Sequence, residues 1–252
     1  MIAAHPDDET IGAGALLSRN KGVQIVYVTD GAPPGILDAL AAGLSSREAY
    51  ASARIAEARS ALALAGVESR AICRLQFTDQ EVSFQLGELT IKILQALDGH
   101  PPDFLLTHAY EGGHPDHDSA ALACHMAHRM YCANHNGAGP LLMEFAGYHG
   151  EHGRIRTNQF LPQSGPAENR RQLTADEANL KTQMLREFKT QSRTLQAFLP
   201  PRFEAYRQAP KYDFGRAPHA GKLFYENFNW GMDGGTWRGL AQKLVRELSL
   251  PG

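Results

Sequence analysis

Short apolar runs alternate with helical patterns over the first two-thirds of the chain. Residues 1–4 form a strand stub, and the small-residue stretch "ETIGAGALLSRNKG" (9–22) predicts a helix. "VQIVYVTDG" (23–31) reads as a buried strand ending in a turn. The long amphipathic stretch 45–67 predicts a helix, capped by Ser45 or Ser46 and ended by Gly66. "RAICRLQF" (70–77) is a third strand, and 86–100 a third helix closed by Gly99 and the Pro101–Pro102 stop. "DFLLTHAY" (103–110) and residues 118–135 predict a fourth strand and helix. Beyond residue 140 the pattern loosens. There "LLMEFAGYHG" and "RIRTNQFL" predict a pair of strands. Residues 174–198 predict one helix, with Thr174 and Glu177 at capping-box spacing. The Pro-, Gly- and aromatic-rich tail from Pro200 to Gly235 reads as ordered loop.

Regular alternation of strand and helix implies an α/β fold, a Rossmann-like, mostly parallel sheet with helices on both faces. A less regular C-terminal region follows. The expected organisation is one domain over residues 1–252, with a chemical core at 1–135 and a specificity region with C-terminal helices at 136–252. Ligands of such sheets bind at the carboxyl ends of the strands. The polar clusters fall there: His5–Glu9 after the first strand, Thr29–Asp30 after the second and His108–His117 after the fourth.

Composition narrows the function classes. The chain has 252 residues, and 25 Lys+Arg against 27 Asp+Glu leave a net charge of −2. That balance argues against a nucleic-acid partner gripped by a broad basic surface. No stretch approaches the roughly 20 apolar residues of a membrane span, and the start lacks a signal-peptide layout, so cytoplasmic location is the expectation. Cys73, Cys124 and Cys132 are odd in number with no CxxC spacing, which predicts small buried apolar residues and neither disulfides nor a thiolate zinc site. No heptad or separate apolar stripe sets an oligomeric state, and a homo-oligomer stays open.

The chemistry concentrates in two stretches. In "AHPDDE", His5 and Asp8 can point together from a turn, and imidazole with carboxylate suits zinc or another divalent metal. Asp7, if not a ligand, can accept a proton from an attacking water. Read alone, Asp7, Asp8 and Glu9 serve equally well as helix caps that complement the dipole. "HAYEGGHPDHD" repeats the His-Pro-Asp order at His114–Asp116 and adds His117. One of these histidines completes a three-ligand set with an open position. The other then stands at the reaction centre, oriented by Asp116.

"AHPDDE" running on to "GAG" at 12–14, then "VTDG", "RIAEARSALALAGV" and "HPDHD", resembles the LmbE-like/PIG-L family of zinc-dependent N-deacetylases over roughly the first 135 residues. The resemblance implies hydrolysis of an N-acyl group, most often the acetamide of an N-acetylglucosamine-type sugar. It makes His5, Asp8 and His117 the zinc ligands and Asp7 the general base. His114 becomes the group that stabilises the oxyanion or protonates the leaving amine, supported by Asp116. The position two before His114, a tyrosine in some relatives, is Gly112 here, with Tyr110 the nearest tyrosine. Iron, cobalt or nickel fits the same donors in vitro.

Arg54, Asp30 and Glu111 are candidate substrate contacts. Their plain alternatives are an ion pair with Glu57, a turn with Gly31 and a loop carboxylate. His125 and His128 read as a polar helix face. "GAGALL" is no dinucleotide loop, since Leu17 stands at the third glycine position and the acidic cluster repels pyrophosphate. The aromatics of "FYENFNW" suit either a sugar pocket or a structural clasp. The expected partner is thus a small N-acylated amino sugar or conjugate. Other readings are a different N-acylated small molecule, such as a thiol conjugate or antibiotic intermediate, and a metal-binding module without catalysis.

Overall fold

Alternation of strand and helix holds through residue 134 in the computed structural model, which describes residues 1–162 and 167–248. In chain order the elements begin with strand β1 (Ile2–Ala3), helix α1 (Asp8–Arg19), β2 (Ile25–Thr29), α2 (Leu37–Ala41) and α3 (Arg47–Leu64). Next come β3 (Ile72–Phe77), α4 (Leu86–Gly99), β4 (Phe104–His108) and α5 (Pro115–Asn134). Then follow β5 (Leu141–Phe145), β6 (Tyr148–Glu151), β7 (Arg154–Thr157), β8 (Asn169–Gln172), α6 (Ala175–Glu187), β9 (Phe203–Gln208) and α7 (Gly234–Glu247). The class is α/β with mostly parallel strands. Two compact units divide the chain: Met1–Gln80 with Asn169–Ala205, and Glu81–Glu168 with the chain from Tyr206 onward.

In the first unit β2 lies between β1 and β3, all parallel. Its sequence IVYVT is buried throughout, as a central parallel strand requires. β3 is bonded on one side only and leaves Cys73 exposed, so the expectation of a buried thiol fails there and holds for Cys124. Ser46, not Ser45, caps α3 by accepting the Ala49 N–H at 3.1 Å. α6 has the Thr174–Glu177 capping box. The helix expected to run to residue 198 ends at Glu187, and separate 3₁₀ turns follow. The physical reason is a long-range contact: Glu57 takes the Thr190 N–H and hydroxyl at 3.0 and 2.6 Å, drawing the chain off the helix axis.

Helices α1, α3 and α6 pack together, and one buried ion pair sets the contact. α1 breaks its helical dihedrals at Ala13. The freed amides of Ala15 and Leu16 donate to the Glu204 carboxylate at 2.8 and 3.1 Å. Lys181 Nζ donates to the same carboxylate and to the Ile11 carbonyl, both at 2.7 Å. Gly14 lies inside α1 with the Lys181 side chain 3.3 Å from where a Cβ would stand, so "GAG" serves helix packing. Glu204→Ala strands a buried ammonium and two amides. Its unfolding free energy in denaturant titration should fall by about 3–5 kcal/mol.

In the second unit β4 and β5 are parallel, and β5 pairs antiparallel with the end of β9. β9 corrects the loop reading of the tail. It is held by the Glu144–Arg207 pair at 2.6 Å, with Arg207 stacked over Phe160. "LLMEFAGYHG" is two strands, not one, and β6 forms a hairpin with β7 whose turn places His152 and Gly153 at positive φ. α5 starts at Pro115, earlier than expected, because His114 is its N-cap and proline suits the first helical turn. The buried Trp237 of α7 fixes that turn: its indole N–H donates to Ser119 Oγ at 3.0 Å, and Ser119 donates to the Pro115 carbonyl at 2.7 Å. His125 is no solvated residue either, since it packs edge-on against Tyr212 and Phe214. Among the described residues no helix is long and apolar enough to cross a membrane.

Candidate metal and catalytic residues

The first polar group is built by the turn between β1 and α1. The His5 amide donates to Asp8 Oδ2 at 2.7 Å, and the same oxygen lies 3.2 Å from His5 Nδ1. His5 Nε2 meets Asp79 Oδ1 at 3.0 Å. The imidazole is therefore held between two carboxylates, one of them just beyond the end of β3. Asp79 was missed by sequence reasoning. The signal was present, a carboxylate after a strand terminus, in a turn with no histidine to draw attention.

Asp7 occupies the N-cap position of α1 but makes no side-chain capping bond, so the capping reading fails for its carboxylate. Its φ of 143° is a strained conformation for a non-glycine residue. Arg54 holds it there. The guanidinium donates to Asp7 Oδ2 at 2.9 Å, to the Pro6 carbonyl at 2.8 Å and to the Gly31 carbonyl at 2.7 Å. Gly31 is required by this packing: a Cβ would stand 2.8 Å from the Pro6 ring and 3.0 Å from the guanidinium, and its φ is +70°. The expected alternative of an Arg54–Glu57 pair is not formed, because Glu57 is committed to Thr190. Arg54 thus commits three donor contacts to the turn between β1 and α1 and to Gly31. Lysine cannot reproduce this three-way fork, so Arg54→Lys should lower the unfolding free energy by about 1–3 kcal/mol in denaturant titration, with secondary structure unchanged in circular dichroism.

Burial pushes the Asp7 carboxyl up to about 8, against the pull of Arg54 and with Asp8 adding to the rise. Burial likewise lifts Glu9 to about 7. Asp7, Asp8, Glu9 and Asp79 are all buried, with Arg54 as the guanidinium among them. Buried carboxyls that are costly to ionise together, beside an imidazole, are the environment in which a divalent cation favours the charged forms. Asp30 stands apart from this group. Arg47 donates to both of its oxygens at 2.9 Å, and Asp30 accepts the Ala32 N–H at 3.0 Å, which is the turn-forming reading.

The second polar group sits at the start of α5. The Asp116 N–H donates to His114 Nδ1 at 3.1 Å, while the Asp116 carboxylate is 4.0 Å away. The backbone amide of Asp116 therefore braces the His114 ring at Nδ1. With Nδ1 accepting, the neutral imidazole carries its proton on Nε2. His117, one helical turn on, stacks on His108 with centroids 4.1 Å apart. His108 ends β4 and was not singled out, because its partner is reached only through the fold. Glu111 braces the neighbouring segment: it accepts the Gly147 N–H at 2.9 Å and lies 3.6 Å from His149 Nδ1, on either side of Tyr148. That engaged geometry replaces the plain loop carboxylate. Asp118 accepts the Glu111 and Gly112 amides, and burial holds its carboxyl well above the usual range.

No curated protein matches the chain. Among solved structures it is similar to a deacetylase of the teicoplanin biosynthesis pathway, at TM-score 0.63 and 18% identity over 84% of this chain and 97% of that one. It is similar also to the zinc-inhibited form of teicoplanin deacetylase, at TM-score 0.60 and 15% identity over 84% and 97%. A third is N,N'-diacetylchitobiose deacetylase from Pyrococcus horikoshii, at TM-score 0.56 and 19% identity over 79% and 73%. At these identities the likeness is one of fold. Residues 1–128, which include both His-Pro-Asp motifs, match the PIG-L family, described as GlcNAc-PI de-N-acetylase. The chain belongs to the PIG-L, or LmbE-like, deacetylase family.

Proposed function

We propose that the protein is a zinc-dependent N-deacetylase that hydrolyses the acetamide of an N-acetylglucosamine-type sugar or sugar conjugate. The observation that carries this reading is the burial of His5, Asp7, Asp8, His114 and His117 within the two motifs that the family match spans. The donor set fits the metal: His5 and Asp8 form one buried imidazole–carboxylate contact, and His117 adds a second imidazole. His5, Asp8 and His117 would hold the zinc, which when bound supplies Lewis acidity toward the acyl oxygen and the attacking water. The remaining work falls to the chain's own groups.

Asp7, held by Arg54, takes the proton from water as its oxygen adds to the acyl carbon. His114 presents Nε2–H, a hydrogen-bond donor toward the developing oxyanion or the amine nitrogen, while Asp7 passes the proton it took to that nitrogen as the C–N bond breaks. Acetate and a protonated amine result. In this reading residues 1–135 supply the chemistry and residues 136–252 the specificity. The same machinery serves a second acceptor class, another N-acylated small molecule, and the two are separated by substrate alone. Zinc-loaded protein given a panel of N-acetylated sugars and N-acylated amines tests the proposal. Amine release from the sugars supports it, and release confined to the other amides replaces the sugar with that class.

A further inference from the structure

Six aromatic rings of the second unit close into a circuit that includes both histidines of the α5 motif. His114 lies 4.6 Å from Trp230, and Trp230 stacks on Phe228 at 4.5 Å with 14° between planes. Phe228 meets Phe224 edge-on at 5.3 Å, and Phe224 meets Tyr148 at 5.7 Å. Tyr148 stands edge-on to His117 at 5.2 Å, and His117 returns to His114 at 5.2 Å. Burial grades along the circuit: the two imidazoles are buried, Trp230, Phe224 and Tyr148 are half-buried, and Phe228 is 42% exposed.

The segment that supplies these rings has a divided loyalty. Leu223 and Tyr225 enter the core with Trp237, Phe214 and Tyr110, which already anchors the chain. Phe228 points the other way and stays exposed while stacked flat on Trp230. Trp230 itself packs against that core, and the ring the core does not use is Phe228, exposed on the flat face of Trp230. It is suited to a ligand ring that presents a flat apolar face.

We propose that Trp230 and Phe228 are the specificity platform for the amine half of the substrate, stacking the C–H face of its pyranose ring. The assignment rests on the deacetylase reading for its orientation. Of the two roles of His114, the one toward the amine nitrogen places the amine-bearing moiety along Trp230, the ring next to it. The acyl group, which stays with the attacked carbon, does not. A pyranose leaves its hydroxyls at the rim facing water, which matches the outward rise in exposure toward Phe228.

The chain has two tryptophans, Trp230 and the fully buried Trp237, so tryptophan emission separates a ligand on the platform from a change in the core. Zinc-loaded Asp7→Asn protein is titrated with N,N'-diacetylchitobiose. The expected result is a saturable emission change that Trp230→Phe abolishes. In the otherwise native enzyme Phe228→Ala should raise KM about tenfold with kcat changed by less than about twofold, the signature of lost stacking rather than lost chemistry. A merely structural Phe228 would lower stability and leave KM alone. An emission change that persists in Trp230→Phe, no emission change at all, or an unchanged KM in Phe228→Ala overturns the platform. Sugar that titrates Trp230 but is never deacetylated overturns the proposed reaction and keeps the platform. Sugar that is deacetylated without touching Trp230 emission does the reverse.

Discussion

Asp7→Asn keeps metal bound and lowers kcat for amine release by about 10²–10⁴, the range that removal of a general base commands. The substitution is informative because it changes so little else. Asparagine tolerates the positive φ that Asp7 adopts, and its amide oxygen can still accept from Arg54. Loss of the buried charge removes a desolvation cost and the repulsion from Asp8 and Glu9, and it weakens the attraction to Arg54 at the same time. The introduced carboxamide cannot take a proton from water at neutral pH. The check is kcat with metal content and circular dichroism measured on the same preparation. A kcat within about tenfold of the native value would remove Asp7 as the base.

His117→Ala is the second large effect, and it acts on metal affinity rather than on proton transfer. A group that only supports a ligand costs about 10- to 100-fold in affinity when removed. As a ligand, His117 should cost more than about hundredfold, and the protein purified at stoichiometric zinc should retain little. Competition against a chelating dye reads the affinity directly. The imidazole also stacks on His108, so some stability is lost with it, and thermal melting in chelator separates that loss from the metal's contribution. Native zinc affinity in His117→Ala would refute the ligand assignment.

Much of this was legible because the signals are local. Ser46 and Thr174 cap their helices through bonds three residues away, and both were visible as spacing. The His-Pro-Asp stretches were visible for the same reason, as was their place after strand ends. What escaped was decided by contacts between distant residues. Arg54 reads as a partner for Glu57 at i,i+3 until Thr190 claims Glu57 and the turn at Asp7 claims Arg54. Asp79 carries no local motif and gains meaning only from the His5 imidazole it meets, far away in sequence. β9 hid in a tail whose prolines and glycines suggested loop, because its pairing with β5 spans about 60 residues of sequence. At Asp116 residue type points to the carboxylate, and the helix cap adds a bond from the backbone amide that residue type does not show.

The central claim is that the two His-Pro-Asp motifs serve one metal-dependent amide hydrolysis. Its most direct measurement is acetate and amine release from the panel of N-acetylated sugars by protein stripped with chelator, then reloaded with zinc. The account predicts no release from the stripped protein and restored release at one zinc per chain. Release that survives complete stripping, or a chain that binds no metal, would contradict it.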